Sequence, residues 1–187
     1  MSKLIINRRS LLKTGGAASV ALATPYFFPR GALAQSDMYL NAPKGDTVTL
    51  GFNVPQTGPY ADEGADELDA YKLAVEHLNG EGDGGCLNTF SSKVLKGNGI
   101  LGKKVAYVTG DTQTKSDAAR ASAKSMIEKD GAIMITGGSS SGVAVAVQGL
   151  CQEAGVIFMA ALTHSNDTTG KDKKANGFRH FFNAYMS

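Results

Sequence analysis

The segment from Gly137 to Gly142 has the residue types of an anion-binding site. Three serines, Ser139, Ser140 and Ser141, stand between its glycines, after an apolar stretch typical of a buried strand and before an amphipathic stretch. Serine hydroxyls and unpaired backbone N–H groups would then lie at a helix N-terminus, where the helix dipole favours negative charge. The segment therefore predicts binding of a ligand anion, such as a carboxylate. The simpler alternative is that one serine only caps the helix.

The same segment also fits the pattern G-x-S-x-G, in which Ser140 would be the nucleophile of an α/β-hydrolase. A catalytic triad needs an acid and then a histidine further along the chain. Asp167 and His180 occur in that order, but only 13 residues separate them and few strands remain to carry them. Hydrolysis by Ser140 is therefore the weaker alternative to binding.

Other candidate motifs give weaker indications. A glycine-rich stretch at 80–85 fits the dinucleotide fingerprint, but it follows a predicted helix rather than a strand and indicates a loop. An acidic cluster at the start of that helix is explained by the helix dipole, and its spacing is not that of a calcium loop. No metal or cofactor is expected, because no Cys or His spacing suggests a metal site. The acidic cluster consists of Asp62, Glu63, Asp66, Glu67 and Asp69.

Strand and helix patterns alternate from residue 47 onwards. Amphipathic spacing predicts three helices: one that includes residues 70–78, one over 116–129 and one that follows the serine segment and runs to Ala154. The alternation predicts an α/β fold, in which a parallel sheet carries helices on both faces. The predicted strands are 47–54, 104–109, 132–136, 156–160 and 179–183.

Parallel sheets of this kind bind ligands beyond the carboxyl ends of their strands. The loops 56–64, 137–142 and 161–167 are therefore the expected binding region, with 111–114 as a fourth candidate. His164 lies in the third of these loops. It is either a ligand-binding residue or a solvated loop histidine.

Composition and charge limit the class of protein. The chain has 187 residues, of which 42% are hydrophobic and 19% charged, and this is a globular composition. Residues 1–34 contain five basic residues and no acidic one, which leaves 14 basic against 17 acidic residues in the remainder. That balance argues against nucleic acid as a partner.

The first 34 residues have the pattern of an export signal. Arg8 and Arg9 precede two leucines and a lysine, which is typical of the twin-arginine pathway. A weakly hydrophobic segment follows, and Ala32 and Ala34 supply small residues for cleavage, so the mature chain would begin near Gln35. A Sec signal that happens to carry an arginine pair is the alternative. Both routes predict export.

Export also bears on the two cysteines, Cys86 and Cys151, which lie 65 positions apart. A disulfide could join them in an oxidising compartment. Cys151 could instead be a small core residue of a helix, and sequence spacing does not decide between these alternatives.

An ordered set of short motifs runs through the chain. It includes Gly-Phe-Asn-Val-Pro-Gln-Thr-Gly-Pro-Tyr-Ala at 51–61, Gly-Asp-Thr-Gln at 110–113, Gly-Gly-Ser-Ser-Ser at 137–141 and Glu-Ala-Gly-Val-Ile-Phe at 153–158. This order resembles the leucine/isoleucine/valine-binding proteins of ABC importers, which have the type 1 periplasmic-binding fold. The resemblance covers residues 47–187. Residues 35–46 would be an N-terminal extension of the mature chain.

The resemblance implies a set of ligand-binding residues. The serine that bonds a ligand carboxylate in relatives corresponds to Ser141. A backbone carbonyl and a threonine hydroxyl from the next loop fall on Leu162 and His164, so that a histidine replaces the threonine. An aromatic residue of the first loop falls on Glu63, which is a second departure, and nearby Tyr60 could take its place. With the neighbouring serines, the candidate ligand-binding residues are Ser139, Ser140, Ser141, Leu162, His164, Tyr60 and Glu63.

The resemblance also implies a function. Members of this family have two α/β lobes, bind a solute between them without chemistry, and present the closed form to a membrane permease. The chain corresponds to the first lobe and is expected to be a fragment of a longer chain. It is therefore expected to serve an ABC importer in the periplasm, with an amino acid or a related carboxylate or amide as ligand and an inner-membrane permease as partner. A ligand-sensing receptor lobe of the same fold is the alternative.

Overall fold

The structure is a computed structural model, and it describes residues 42–43, 45–82 and 95–179. The chain divides into two units, Met1–Ala34 and Gln35–Ser187, and all of the described residues belong to the second unit. The predicted export signal and Cys86 lie outside the described residues.

A parallel sheet of five strands forms the centre of the described part of this unit. The strand order is β2-β1-β3-β4-β5, and every neighbouring pair of strands is parallel. This arrangement confirms the parallel α/β sheet that strand and helix alternation predicts. The strands are β1 (Thr47–Val54), β2 (Lys104–Asp111), β3 (Met134–Gly137), β4 (Ile157–Ala160) and β5 (Gly177–Arg179).

Three helices connect the first four strands: α1 (Ala61–Leu78), α2 (Ser116–Glu128) and α3 (Ser141–Glu153). A short 3-10 helix, Asn166–Thr168, lies between β4 and β5. Within the described parts of the chain, no helix combines the length and the apolar character that a membrane span requires.

The helices cover both faces of the sheet, as predicted. On one face, alternate residues of β1 such as Val48 and Phe52 pack with Leu68 and Val75 of α1. On the other face, α2 and α3 pack against β3 and β4 in a second cluster that includes Phe158. The period of two along β1 explains this division, because successive side chains of a strand point to opposite faces.

The second, third and fourth strands differ in their bounds from the prediction, and the fourth is Ile157–Ala160 rather than 156–160. The second strand continues through Asp111 because its last residues pair with the end of β1, whereas the sequence suggested an end at Thr109. The third strand is Met134–Gly137 rather than 132–136. Its start is delayed because the N–H of Ala132 donates to the carbonyl of Met126 at the end of α2. Its end is later because Gly137 still pairs with β1.

The last strand begins earlier than predicted. The expected strand was 179–183, whereas β5 is Gly177–Arg179 and residues 180–183 lie outside the described residues. Glycine at 177 allows β5 to approach α3 closely. A Cβ there would lie 2.5 Å from Oε1 of the buried Gln148, so a side chain at this position would clash with α3.

Candidate functional site

The carboxyl ends of the parallel strands bring the predicted loops to one edge of the sheet. β1 leads into the loop before α1, β3 leads into the serine segment before α3, and β4 leads into the segment 161–165. Because all strands run in the same direction, these loops start on the same side. This edge is the candidate functional site.

A cavity of about 500 Å³ opens at this edge, between α1 and the loop after β4. Two of its lining residues, Glu63 and Leu162, are among the ligand-binding residues that the family resemblance suggests. The structure therefore brings these two predicted residues to one cavity, although they lie far apart in the chain. The lining residues are Glu63, Asp66, Glu67, Ala70, Tyr71, Ala161 and Leu162.

Glu67 is the buried polar group of this cavity. Its side chain is 5% exposed, its Oε1 accepts a hydrogen bond from the hydroxyl of Tyr71, and its Oε2 accepts one from Ser139 Oγ at 3.1 Å. Burial raises the pKa of the Glu67 carboxyl, and the two hydrogen bonds only partly offset that effect. Glu67 therefore holds a proton more readily than an exposed glutamate does.

Tyr71 connects the carboxyl to the ends of two strands. The hydroxyl of Thr136 in β3 lies 3.4 Å from the Tyr71 hydroxyl oxygen and 3.0 Å from the carbonyl oxygen of Met159 in β4. The Tyr71 ring packs on Phe52, with 4.9 Å between the ring centroids. Burial and the neighbouring Glu67 raise the pKa of Tyr71, so this hydroxyl keeps its proton and serves as a donor. The network fixes the position of the Glu67 carboxyl.

The three serines have three different roles in the structure. Ser139 is buried and donates to Glu67. Ser140 is the N-cap of α3 by backbone conformation, but its side chain makes no capping hydrogen bond. Ser141 is the first residue of α3, and its Oγ accepts a hydrogen bond from the backbone N–H of Ser165 at 3.1 Å. Capping by a serine is thus not the reason for the triple serine, and the Ser141 hydroxyl proton is left to donate.

The other five predicted residues do not line the cavity: the three serines precede or begin α3, and Tyr60 and His164 lie in exposed positions. Tyr60 precedes α1 and is 44% exposed. His164 is exposed in the loop after β4, and its carbonyl oxygen accepts a hydrogen bond from Nη2 of Arg179 at 3.3 Å. Their roles in ligand binding remain predictions.

Asp111 at the end of β2 holds the loop that follows β1. Its Oδ1 accepts hydrogen bonds from the backbone N–H groups of Gln56, Thr57 and Gln113 at 2.8–3.2 Å. Its Oδ2 accepts one from the Thr57 hydroxyl at 2.6 Å. Burial alone would raise the pKa of Asp111, but these donors outweigh it and the net pKa is lowered.

The turn after Asp111 is strained. The N–H of Lys115 donates to the carbonyl of Thr112 at 2.8 Å, and the two residues between them have positive φ angles, 50° at Gln113 and 56° at Thr114. A β-branched residue rarely adopts this conformation. Strain of this kind is held only where the surroundings determine it, and the hydrogen bond from Gln113 to Asp111 is part of those surroundings.

Sequence reasoning missed Glu67 and Tyr71 as site residues. The helix dipole explained the acidic cluster, so that Glu67 did not stand out from its neighbours. One signal was available, because Glu67 and Tyr71 are four residues apart and therefore share a face of α1.

No group of three or more potential metal ligands occurs among the described residues. Cys151 is a buried free thiol, and burial raises its pKa to about 12.

Comparison with known families gives one match over most of the chain. A family described as periplasmic binding protein matches residues 47–187. The chain belongs to this family. Members of the family bind solutes and are not enzymes, so the family lends no support to hydrolysis by Ser140.

Solved structures show the same fold. The branched-chain amino acid transporter substrate binding protein LivJ from Streptococcus pneumoniae, in complex with isoleucine, aligns with a TM-score of 0.58 at 21% identity over 71% of this chain and 33% of that one. A solute binding protein of an ABC transporter from Rhodopseudomonas palustris BisB5, in complex with 3,4-dihydroxy benzoic acid, aligns with a TM-score of 0.58 at 22% identity over 72% of this chain and 32% of that one.

An amino acid ABC transporter substrate-binding protein from Pseudomonas fluorescens Pf-5 aligns equally well, with a TM-score of 0.58 at 24% identity over 72% of this chain and 31% of that one. The periplasmic binding protein thus spans about a third of the length of these neighbours, and its parallel sheet corresponds to one lobe of the type 1 fold. No match was found among curated protein sequences.

Proposed function

We propose that this periplasmic binding protein is the solute-binding component of an ABC importer and captures a small amphipathic solute in the periplasm. The solute is an amino acid or a related carboxylate or amide. The observation that carries the proposal is the cavity between α1 and the loop after β4, where Glu63 and Leu162 meet. Those are positions at which the family resemblance places ligand contacts. Two neighbours hold ligands that carry a carboxyl group, isoleucine and 3,4-dihydroxy benzoic acid, and this supports a carboxylate in the solute.

The anionic end of the solute is bound at the start of α3. The first N–H groups of a helix have no partner inside the helix, and the Ser140 side chain does not cap them. The Ser141 oxygen is occupied by the N–H of Ser165, which directs the hydroxyl proton to another acceptor. A ligand carboxylate satisfies these donors together, and the helix dipole adds to the attraction.

The mechanism is capture and release rather than turnover. The described lobe supplies the cavity and the donors at α3, and a second lobe of the type seen in this family closes over the solute and removes it from water. The closed form is recognised by a permease in the inner membrane. The pattern at Arg8 and Arg9 supports delivery to the periplasm by the twin-arginine pathway. Replacing both arginines by lysine should retain the precursor in the cytoplasm, as seen by cell fractionation.

The binding proposal is tested by calorimetry on the product of the complete gene with a set of amino acids, simple carboxylates and amides. At least one is expected to bind, and Ser141→Ala is expected to weaken binding of a carboxylate-bearing solute by about 1–3 kcal/mol, as for a hydrogen bond to a charged group. Ser140→Ala tests the neighbouring candidate: its side chain does not cap α3, and a loss of affinity in this variant would show that the Ser140 hydroxyl also binds the solute.

The same pair of variants distinguishes binding from hydrolysis. Turnover of a generic ester that Ser140→Ala abolishes would overturn the proposal in favour of an α/β-hydrolase. Equal affinities of the wild type and Ser141→Ala would show that the carboxylate does not bind at α3.

A further inference from the structure

The strand β2 lies at an edge of the sheet, and its backbone is bonded to a neighbouring strand on one side only. The strand order places β1 on that side and no described strand on the other. Lys104, the first residue of β2, donates its N–H to the chain just before β1. Backbone groups of successive strand residues point to opposite sides, so Val105, Tyr107 and Thr109 direct their N–H and C=O groups outward.

Asn79 occupies the first part of this outer edge. It is the C-cap residue of α1, and its Nδ2 donates to the carbonyl oxygen of Val105 at 2.9 Å. The N–H of Val105 donates in return to Asn79 Oδ1 at 2.8 Å. Two residues that face each other in antiparallel strands exchange the same pair of bonds. The Asn79 amide therefore takes the place of a neighbouring strand at Val105.

The outer edge is open after Val105. Tyr107 is 40% exposed and Thr109 is also exposed, and no strand in the described part of the chain pairs with them on this side. A cavity of about 420 Å³ between α1 and β2 leaves space beside Val105 and Tyr107. A row of unpaired backbone groups is a template for another strand, and removal of the Asn79 amide lengthens this row by Val105.

A second copy of β2 is suited to this edge. When it lies antiparallel about a twofold axis at Val108, Tyr107 of each copy faces Thr109 of the other, and each pair exchanges both of its backbone hydrogen bonds. An aromatic residue opposite a β-branched one is a favourable cross-strand pair. The charged groups beside the edge are balanced, so a copy meets no excess of like charge. They are Lys72, Glu76, Glu81 and Lys104.

We propose that Asn79 keeps this protein monomeric by blocking the edge of β2. Its amide occupies the outward backbone groups of Val105, and without that amide β2 pairs with β2 of a second copy. Native sheets commonly protect their edges by such local devices. The inference goes beyond the proposed function and does not depend on it, because Val105 is near the amino end of β2 and far along the strand from the loops of the candidate site.

The test measures the mass of the protein in solution by sedimentation over a range of concentrations, with the product of the complete gene. The wild type is expected to remain a monomer. Asn79→Ala is expected to form dimers, with a dissociation constant at least about tenfold below that of any association of the wild type. A wild type that associates as strongly as Asn79→Ala, or an Asn79→Ala variant that stays monomeric throughout, would overturn the inference.

Thr109→Pro, combined with Asn79→Ala, separates edge pairing from association of partly unfolded chains. The Thr109 N–H points outward and takes no part in the ladder with β1, so proline removes only an edge donor. The double variant is expected to return to a monomer, although proline does not restore the bonds that Asn79 made. Association that persists in the double variant would contradict pairing through β2.

Glu81→Ala is the matched control at the same edge. Its carboxylate lies 3.7 Å from Nζ of Lys104, and both side chains are exposed. The variant removes this ion pair and leaves the bonds between Asn79 and Val105 in place, so it should stay as monomeric as the wild type. If Glu81→Ala associates as strongly as Asn79→Ala, surface charge rather than the Asn79 amide controls association, and the inference is wrong.

Hydrogen exchange of the wild type provides a test even if Asn79→Ala does not fold. The N–H of Val105 is bonded to Asn79 and should exchange at least about tenfold more slowly than the outward N–H groups of Tyr107 and Thr109. Fast exchange at Val105 would show that the Asn79 amide does not close the edge. Equal protection of all three would show that another part of the protein already covers it. Either result would overturn the role of Asn79.

Discussion

Asp111 and Glu67 are two carboxyl groups at the same edge of the sheet, and their surroundings differ. Asp111 is partly exposed and accepts four hydrogen bonds, three of them from backbone N–H groups. Glu67 is almost fully buried and accepts two, both from side-chain hydroxyls. The pKa of Asp111 is lowered by its donors, whereas the pKa of Glu67 is raised by burial.

The two carboxyl groups differ in how many of their hydrogen-bond acceptor sites the protein uses. The acceptor sites of Asp111 are filled by the protein, and filling them fixes the loop after β1 against the strained turn at Gln113. The acceptor sites of Glu67 are half filled, and the side chain lines a cavity large enough for a small solute. A count of donors around each carboxyl therefore shows that Asp111 is used more fully by the fold than Glu67 is.

The largest expected effect comes from moving α1, which carries Glu67 but not Asp111. Gly64 in α1 lies so close to Pro55 that an added Cβ would be 1.9 Å from the Pro55 carbonyl oxygen. Gly64→Ala should therefore push the helix away from the end of β1 and lower the free energy of unfolding by about 3 kcal/mol. Urea denaturation measures this loss.

Gly142→Ala is the control for that variant. Gly142 is also in the first turn of a helix, but a Cβ there would meet nothing within 4 Å. Alanine favours the helix over glycine, so this change should be neutral or stabilising by up to about 1 kcal/mol. A loss below about 1 kcal/mol for Gly64→Ala would contradict the close approach of α1 to Pro55.

The next effect comes from removing the structural carboxylate. Asp111→Ala leaves three backbone N–H groups and the Thr57 hydroxyl without their acceptor. Water can replace part of these bonds because the site is exposed, so the expected loss of unfolding free energy is about 2 kcal/mol rather than the sum of four bonds. Thermal or urea denaturation measures it.

Thr57→Val removes a single donor to Asp111 and serves as the graded comparison, with an expected loss of about 1 kcal/mol. If Asp111→Ala is no worse than Thr57→Val, the backbone donors do not depend on this carboxylate. Asp111 would then not stabilise the fold through its donors in the way that distinguishes it from Glu67.

The sequence predicted the sheet better than the site. The strand at 47–54 was predicted with its observed bounds because its alternation stops at Pro55. The ends of β3 were not predicted correctly, because its pairing with β1 and the end of the preceding helix cannot be recognised from local residue spacing. Glu67 was also missed because its partner Ser139 is 72 positions away. The contacts of Asp111 were missed for the same reason, because its partner Thr57 is 54 positions away.

The smallest expected effect is a difference in how stability depends on pH. Asp111 has a folded-state pKa below its ordinary value of 3.8, so its stabilising contribution is complete above that value and is lost as the pH falls through the folded pKa. Glu67 has a folded-state pKa above its ordinary value of 4.5. Its contribution is complete below that value and is lost as the pH rises through the folded pKa.

The two carboxyls should therefore give pH profiles of opposite sign when each is replaced by its amide. Asp111→Asn is less stable than the wild type at neutral pH, and the gap closes as the pH falls below 3.8. Glu67→Gln gains stability relative to the wild type as the pH rises above 4.5, because the wild type must then ionise a buried carboxyl next to Glu63 and Tyr71. Urea denaturation from pH 3 to pH 8 measures both differences. Each variant is the control for the other, since a general effect of acid on the protein would shift both in the same direction. Parallel profiles would mean that Glu67 reaches water as freely as Asp111 does, and the distinction between the two carboxyls would not hold.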